Sequence, residues 1–169
     1  MVADISLVPA RYDRERHLPL LLEADESEQH MRVYLDRGQL LEICNAGGMI
    51  GVTVLVRDAD EVEIWNIALS EGYRGRGLGR AAIGAIADRC RRDGASRLTV
   101  GTSDCSLGTI AFYRKVGFRF AGVRQGYLRQ VPCGRGRERH PRARHGDVPD
   151  ATRAIFHVEP GRHLNDLRQ

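Results

Sequence analysis

The sequence predicts an α/β or α+β domain in which helices cover a mixed β-sheet. Segments with apolar residues at alternate positions, typical of strands, are interleaved with segments whose apolar residues recur at helical spacing. Their order along the chain is β, α, α, β, β, β, α, β, α, β. A chain of 169 residues is also long enough to bury one core of its own.

The first half of the chain is predicted to form three strands and two short helices. The sequence Asn-Ala-Gly-Gly at 45–48 predicts a turn between two antiparallel strands. Ser27 is a candidate N-cap for the second helix, and Gly38 follows the end of that helix. The predicted elements are a strand at 5–9, helices at 18–23 and 27–35, and strands at 39–44 and 49–57.

The second half is predicted to alternate strands and helices. Apolar side chains recur near a period of two in 61–69, as in a half-buried strand, at Val62, Ile64, Ile67 and Leu69. The longest helix is predicted to stop at Asp93-Gly94, because glycine commonly follows a helix C-terminus. The predicted elements are a strand at 61–69, a helix at 78–92, a strand at 97–101, a helix at 110–116 and a strand at 118–123.

The composition argues against a membrane protein and a disulfide scaffold. Hydrophobic residues make up 42% and charged residues 28%, which is ordinary for a soluble globular protein. No apolar run approaches a membrane span, and the N-terminus lacks a basic region followed by an apolar one, so we expect a cytoplasmic location. The cysteines lack Cys-x-x-Cys spacing and are expected to be free structural thiols: Cys44, Cys90, Cys105 and Cys133.

Residues 70–82 are a candidate anion site, because their glycines follow a strand and precede a helix. Glycine lets the backbone approach a ligand closely and leaves N–H groups that can point at it. The helix N-terminus adds a partial positive charge. Arg74, Arg76 and Arg80 add formal charge. The ligand is therefore expected to carry phosphate, in the form of a pyrophosphate.

Several interpretations of this loop compete. A Walker loop needs Gly-Lys-Ser/Thr at its end, and none occurs here. A Rossmann fingerprint at 77–82 would need a strand buried on both faces, whereas Glu61 and Glu63 alternate with apolar residues. Residues 74–79 also read Arg-x-x-Gly-x-Gly, although a motif this short is equally compatible with a plain glycine-rich turn.

A second motif lies downstream, separated from the first by one helix and one strand. Residues 106–118 read Ser-Leu-Gly-Thr-Ile-Ala-Phe-Tyr-Arg-Lys-Val-Gly-Phe, a short helix that closes in Tyr-x-x-x-Gly-Phe. Together with Arg-x-x-Gly-x-Gly, it resembles the GNAT acetyltransferase superfamily. Residues 20–38, with Leu-Leu-Glu-Ala-Asp-Glu-Ser and Tyr-Leu-x-x-Gly, resemble one bacterial branch, so the resemblance spans roughly residues 5–126.

The resemblance implies a mixed, mostly antiparallel central sheet flanked by helices, and transfer of an acetyl group from acetyl-CoA to an amine. The strand at 61–69 would carry a bulge and splay from its neighbour, opening a cleft. Its backbone would pair with the pantetheine arm, the loop N–H groups would hold the pyrophosphate, and Tyr113 would lie near the thioester sulfur. The implied cofactor contacts are Ile67, Ala68, Leu69, Arg74, Gly75, Arg76, Gly77, Leu78, Gly79, Arg80, Ser106 and Tyr113. No metal is implied.

Acetyl transfer to an amine benefits from a base and an acid. An ammonium must lose a proton before it attacks a thioester, and the leaving thiolate benefits from a proton donor. Glu63 is a candidate base, directly or through a water, or else a solvated strand residue. Tyr113 is a candidate acid, or else a packed aromatic residue. Asn66 would orient a water or the acceptor, or else only hold strand backbone.

Ser106 departs from the family pattern, in which many members have an asparagine that contacts the cofactor. Serine still donates and accepts a hydrogen bond, but it reaches less far. The departure weakens the assignment of Ser106 to cofactor binding and leaves the family resemblance intact.

The chain changes character after residue 128, so we divide it into an acetyltransferase domain at 1–128 and an atypical basic segment at 129–169. Residues 1–119 hold 16 basic and 17 acidic side chains, while 120–169 hold 10 and 5, so the net charge of +4 comes from the tail. Nucleic acid is not an expected partner without interleaved aromatics. The tail's potential metal ligands match no compact site: Cys133, His140, His145, His157 and His163.

A change of reading frame is a further hypothesis for residues from about 130 onward. The chain holds one lysine against 25 arginines, a skew typical of GC-rich coding DNA. Read one nucleotide later with CGN arginine codons, residues 133–154 can yield Glu-Asn-Gly-Ile-Arg-Ala-Arg-Asp-Met, which is similar to the closing stretch of the bacterial branch. The domain would then lack its native last strand unless residues 154–158 replace it.

Two classes of function stay open on the sequence alone. One is an acetyl-CoA-dependent N-acetyltransferase that acts on a primary amine by direct attack. The other is a non-catalytic module that binds or senses acyl-CoA through the same loop without turnover. The expected partners are acetyl-CoA and an amine, without a membrane, and the resemblance leaves a homodimer open.

Overall fold

The computed structural model describes residues 4–10, 12–24, 28–103, 106–128 and 151–158. Its strands are β1 (Ser6–Pro9), β2 (Gln39–Asn45), β3 (Gly48–Asp58), β4 (Glu61–Leu69), β5 (Arg97–Ser103), β6 (Arg119–Leu128) and β7 (Ala151–Val158). Its α-helices are α1 (Leu18–Leu22), α2 (Glu28–Arg37), α3 (Leu78–Arg92) and α4 (Leu107–Lys115). The strands form one sheet in the order β1-β2-β3-β4-β5-β7-β6. Only the β4–β5 pair is parallel among the strand pairs of the described residues.

The predicted fold class, a mixed and mostly antiparallel sheet flanked by helices, is confirmed. Several predicted boundaries are wrong: β6 continues to Leu128 rather than ending at 123, β5 continues to Ser103 rather than ending at 101, and α4 begins at Leu107 rather than at residue 110. The Ile110 N–H donates to the Ser106 carbonyl at 3.0 Å, so the first helical turn already includes Gly108 and Thr109. These two residues are weak helix formers, which hid the turn from the sequence pattern. Ser27, the predicted N-cap of α2, lies outside the described residues.

The helices bury apolar side chains against opposite faces of the sheet. One core lies between the sheet and the helices α3 and α4, where α3 contributes Ala82, Ile83, Ile86, Ala87 and Cys90 at helical spacing. The other lies beneath α1 and α2, where Leu21, Met31 and Leu35 pack against Val52, Val54 and Ala68. Between the two cores, β3 is buried on both of its faces at residues 50–55.

Two cysteines fall within the described residues, and both are free thiols as predicted. Burial raises the pKa of the Cys90 thiol to about 11, and burial next to Glu42 raises the pKa of Cys44. Raised pKa values keep both side chains protonated and unreactive near neutral pH. Cys105 and Cys133 lie outside the described residues. Across the described ranges, no helix is both long enough and apolar enough to cross a membrane.

Strand β4 carries a bulge at Trp65. Asn66 pairs with Val54, and Ile64 pairs with Leu55. A step of one residue along β3 therefore corresponds to a step of two residues along β4. The extra residue reverses which side chains face which core: Val62 and Ile64 face α3 before the bulge, whereas Ile67 and Leu69 face that side after it. The irregular spacing of the four apolar residues in this strand is explained by this single insertion.

The C-terminal strand β7 inserts between β5 and β6 and pairs antiparallel with both. Val100 pairs with Phe156, which pairs in turn with Phe120 on the other side. Ala154, Phe156 and Val158 are buried in the core shared with α3 and α4. Residues 154–158 therefore do supply the strand that the domain needed, whatever the origin of the tail's sequence.

We expect the β7 strand to be essential for stability, which truncation of its central aromatic side chain tests. Phe156 is 2% exposed, so Phe156→Ala should reduce the free energy of unfolding by about 3–5 kcal/mol through lost burial and a cavity. Val123 on neighbouring β6 is 55% exposed, so Val123→Ala should cost less than about 1 kcal/mol. Urea denaturation of both variants measures the difference. Equal costs would contradict the placement of β7 inside the sheet.

Candidate active site

A cleft opens beside the second half of β4. Strands β4 and β5 pair from Glu61 with Arg97 as far as Ile64 with Val100, and the paired stretch ends there, just before the bulge. Beyond it β4 continues to Leu69 and β5 continues to Ser103 without pairing with each other, while β7 pairs with the opposite edge of β5 along its length. The predicted splaying of this strand from its neighbour is thus present.

The backbone of Ile67 and Leu69 faces the cleft. The Ser70 N–H donates to the Ile50 carbonyl at 2.9 Å, which makes this a hydrogen-bonded antiparallel pair. Hydrogen-bonded pairs alternate along antiparallel strands with pairs whose N–H and C=O groups point away from the partner strand. Ile67 and Leu69 belong to the second kind, so their backbone groups point away from β3 and into the cleft. Ala68, between them, directs its backbone to β3 and its side chain into the core beneath α1 and α2.

The glycine-rich loop ends at the N-terminus of α3. Gly75 and Gly77 have φ angles of +72° and +78°, in the left-handed region that favours glycine. Gly77 is the N-cap of α3, and no side chain caps the helix. The first helical hydrogen bond runs from the Ala81 N–H to the Gly77 carbonyl, so the N–H groups of residues 78–80 have no partner within the helix. This end of α3 can receive an anion.

Arg74 makes several contacts within the protein, and its contact with the cofactor stays a prediction. Its Nε donates to the Leu69 carbonyl at 2.7 Å, and its guanidinium pairs with Glu23 just after α1. Its backbone N–H donates to the Glu71 carbonyl at 3.1 Å. These contacts join the end of β4 to α1. The three residues that follow, Gly75, Arg76 and Gly77, are exposed.

Helix α4 packs against the start of α3. The ring of Phe112 lies beside Gly79, where an added Cβ would be 3.4 Å from Cζ of that ring, an ordinary van der Waals contact. The next residue, Tyr113, is 5% exposed, with its ring centroid 5.3 Å from that of Phe112 and 5.5 Å from that of Phe118. The Tyr113 ring is therefore packed between aromatic side chains in the core beneath α4. Ser106 is the N-cap of α4, without a side-chain capping bond.

Asn66 is held beneath α1 directly after the bulge. Its Nδ2 donates to the Leu21 carbonyl at 3.1 Å and contacts Sδ of Met31 at 3.4 Å. Its Oδ1 is buried without a hydrogen-bond partner among the described residues, as is Nε1 of Trp65. The Asn66 carbonyl accepts a bond from Oγ1 of Thr53 at 2.8 Å. Asn66 thus secures β4 to α1 and keeps one acceptor oxygen unused.

Glu63 lies two residues before the bulge, on the face of the sheet opposite α3. It pairs in register with Thr99 of β5, which pairs with His157 of β7. Both carboxylate oxygens lie 3.5 Å from Nη1 of Arg124, a residue of β6. The sequence did not single out Arg124, because a contact across 61 residues and two intervening strands leaves no local pattern.

Comparison with known proteins agrees with this geometry. The sequence profile of the Acetyltransferase (GNAT) family matches residues 4–118. The chain belongs to the GNAT acetyltransferase family. It is 31% identical over 105 residues to the uncharacterized N-acetyltransferase YvbK of Bacillus subtilis, covering 62% of this chain and 68% of that protein. It is 29% identical over 97 residues to the [ribosomal protein bS18]-alanine N-acetyltransferase of Escherichia coli, covering 57% and 64%.

Solved structures of this fold include one with acetyl-CoA and one with CoA. A GNAT acetyltransferase from Elizabethkingia anophelis with acetyl-CoA bound superposes with a TM-score of 0.73 at 25% identity, over 92% of this chain and 97% of that one. A Bacillus subtilis acetyltransferase in complex with CoA superposes with a TM-score of 0.71 at 22% identity, over 92% and 99%. The GNAT protein described here is an acetyl-CoA-dependent acetyltransferase. Its described residues contain no cluster of three or more His, Cys, Asp or Glu that would hold a metal.

Binding of CoA should depend on the left-handed conformation at the N-cap of α3. Gly77→Ala forces a Cβ into positive φ and turns the adjacent N–H groups, so we expect CoA affinity to fall about tenfold. Gly84→Ala, in the middle of α3 with open space around the new methyl group, is the matched control and should bind CoA like the native chain. Calorimetric titration with CoA measures both. Equal affinities for all three proteins would argue against this loop as the pyrophosphate site.

Proposed function

We propose that this GNAT enzyme transfers the acetyl group of acetyl-CoA to a primary amine by direct attack, with Glu63 as the base and Tyr113 as the acid. The bulge of β4 supports this proposal most strongly. The backbone groups that would pair with the pantetheine arm lie on one side of Trp65, and the Glu63 carboxylate lies two residues away on the other. An amine beside Glu63 would therefore lie close to the thioester.

The proposed contacts of acetyl-CoA follow the order of the chain. Ile67 and Leu69 would pair with the amide groups of the pantetheine arm as an added strand. The exposed loop at 75–77 and the N–H groups of residues 78–80 would hold the pyrophosphate, with Arg76 and Arg80 adding charge. Ser106, at the N-terminus of α4, would add a hydroxyl. Arg74 would act on these groups indirectly, by holding Leu69 against α1.

The proton transfers can be assigned to side chains on the two sides of the cleft. Glu63 would take a proton from the acceptor ammonium, directly or through a water, and the neutral amine would attack the thioester carbon. As the C–S bond breaks, the Tyr113 hydroxyl would give its proton to the CoA sulfur, and the second amine proton would restore the tyrosine. Holding both reactants in one cleft would supply much of the rate.

Asn66 has a positioning role in this proposal. Its Nδ2 is committed to α1, but its Oδ1 is a buried acceptor without a partner in the described structure. Such an atom is costly to leave unsatisfied, so it favours a water or an acceptor N–H nearby. The Asn66 side chain would thereby help to fix the amine between Glu63 and the thioester.

The acceptor amine and the setting of the reaction also belong to the proposal. The Escherichia coli relative is named for acetylation of an alanine of a ribosomal protein, which supports an amine as the acceptor class. The free thiols Cys44 and Cys90 support a reducing compartment such as the cytoplasm. Association into a homodimer stays a prediction.

Removal of the base should lower turnover without affecting the cosubstrate. Glu63→Gln keeps the shape of the side chain and removes its basicity, so kcat/KM for the amine should fall about 10²-fold or more while CoA affinity is unchanged. Glu61→Gln is the matched control, since Glu61 is two residues away on the same strand and pairs with Arg97. Steady-state thiol release from acetyl-CoA with a panel of amines measures both. A similar loss in both variants would argue against Glu63 as the base.

Removal of the Tyr113 hydroxyl should slow transfer and preserve the fold. The aromatic ring makes the core contacts, so Tyr113→Phe should alter the free energy of unfolding by no more than about 1.5 kcal/mol. Without the proton donor, kcat should fall by about 10²-fold. Tyr12→Phe, which alters a tyrosine that is 85% exposed, is the control. Binding of CoA with no turnover of any amine by the native chain would instead indicate a non-catalytic acyl-CoA sensor.

A further inference from the structure

The ion pair between Arg124 and Glu63 joins two strands that are not neighbours. Strands β5 and β7 lie between β4 and β6 in the sheet. A guanidinium can approach a carboxylate across two strands only if this face of the sheet is strongly curved, as the twist of sheets allows. The face is therefore concave, and Arg124 reaches over it from its rim to the candidate base.

This contact is loose and accessible. Nη1 lies 3.5 Å from each oxygen of Glu63, at the limit of a hydrogen bond, and the side chains are 46% and 17% exposed. Exposed ion pairs of this kind contribute little to stability. A ligand that offers Arg124 a closer partner can therefore draw it away from Glu63 at small cost.

Two arginines of β6 lie on this concave face. Arg119 and Arg124 both extend from β6 on the side of the sheet that carries His157, Thr99 and Glu63. Arg119 is exposed and has no ionic partner within the described residues. On β4, Glu63 and Glu61 share this face, and each is already paired with an arginine, Arg124 and Arg97 respectively. An acceptor that carries only a cationic amine would therefore meet Arg119 and carboxylates that already have partners.

We propose that Arg124 forms a subsite for an acidic group on the acceptor, so that the enzyme prefers amines that also carry an oxyanion such as a carboxylate or phosphate. This inference rests on the proposed function of Glu63. The acceptor's oxyanion binds Arg124 in place of Glu63, and the released carboxylate then takes the proton of the acceptor's ammonium. Arginine suits this role because it stays charged and can hold an oxyanion through two parallel N–H groups.

In this proposal, Arg124 both recognises the acceptor and controls whether the Glu63 base is free to accept a proton. An acceptor without an oxyanion leaves Arg124 paired with Glu63. The guanidinium then competes with the acceptor's ammonium for the Glu63 carboxylate. An anionic derivative relieves that competition and pairs both charges of the acceptor at once, its ammonium with Glu63 and its oxyanion with Arg124. Preference for anionic acceptors should therefore appear in kcat/KM and depend on the charge at position 124.

Matched pairs of amines test the subsite. The probes are ω-amino acids with one to five methylene groups, their primary amides, and aminoalkyl phosphates of the same lengths. For the best chain length, native enzyme should use an anionic probe at least tenfold better in kcat/KM than the matched amide. The carboxylate and phosphate series show which oxyanion fits. Arg124→Gln should abolish this ratio, Arg124→Lys should restore part of it, and Arg119→Gln is the control that should retain it.

Binding to CoA-loaded protein separates the subsite from the proposed function. The subsite is supported if anionic probes bind more tightly than amides and if Arg124→Gln loses this difference. That result would support the subsite even if no amine is acetylated, and only the proposed transferase function would then fail. Turnover of amides at least as well as of anionic probes overturns the subsite and leaves the transferase function standing. An unchanged anion-to-amide ratio in Arg124→Gln, or no preference in binding or turnover at any length, overturns it as well.

Discussion

One extra residue in β4 is the constraint on which the site depends. Trp65 has no partner on β3, so the alternation of side chains between the two faces of the sheet is shifted by one residue between Ile64 and Asn66. The same step ends pairing with β5, exposes the backbone of Ile67 and Leu69 to the gap, and places Asn66 beneath α1. Without the bulge, β4 would continue beside β5 as ordinary sheet, and the cleft for acetyl-CoA would close.

The proposed donor and acceptor halves of the site are built by different parts of the chain. The loop at 70–77, α3 and α4 form the proposed donor half, and Gly79 of α3 lies beside Phe112 of α4. The proposed acceptor half depends on β6 and β7, because Arg124 lies on β6 and β7 pairs with β6 in the sheet. In this proposal, a tail of unusual composition would contribute to acceptor recognition through the strand it inserts.

Much of the fold and of the donor half was predictable from local sequence. Alternation and helical spacing of apolar residues predict the strands and helices. The glycines between β4 and α3 predict a loop with backbone conformations that other residues rarely adopt. Pairwise contacts across the sheet were not predictable in this way. The insertion of β7 between β5 and β6, the bracing of Leu69 by Arg74, and the pairing of Arg124 with Glu63 all depend on tertiary placement, which local periodicity does not encode.

The most direct test of the bulge-opened cleft is hydrogen exchange of single backbone amides with and without CoA, read by NMR. The account predicts that the amides of Ile67 and Leu69 exchange quickly in the free protein and become protected when CoA binds. The amide of Ala68, which is directed to β3, should be protected in both states. CoA binding with unchanged exchange at Ile67 and Leu69 would contradict the account, because the pantetheine arm would then lie elsewhere.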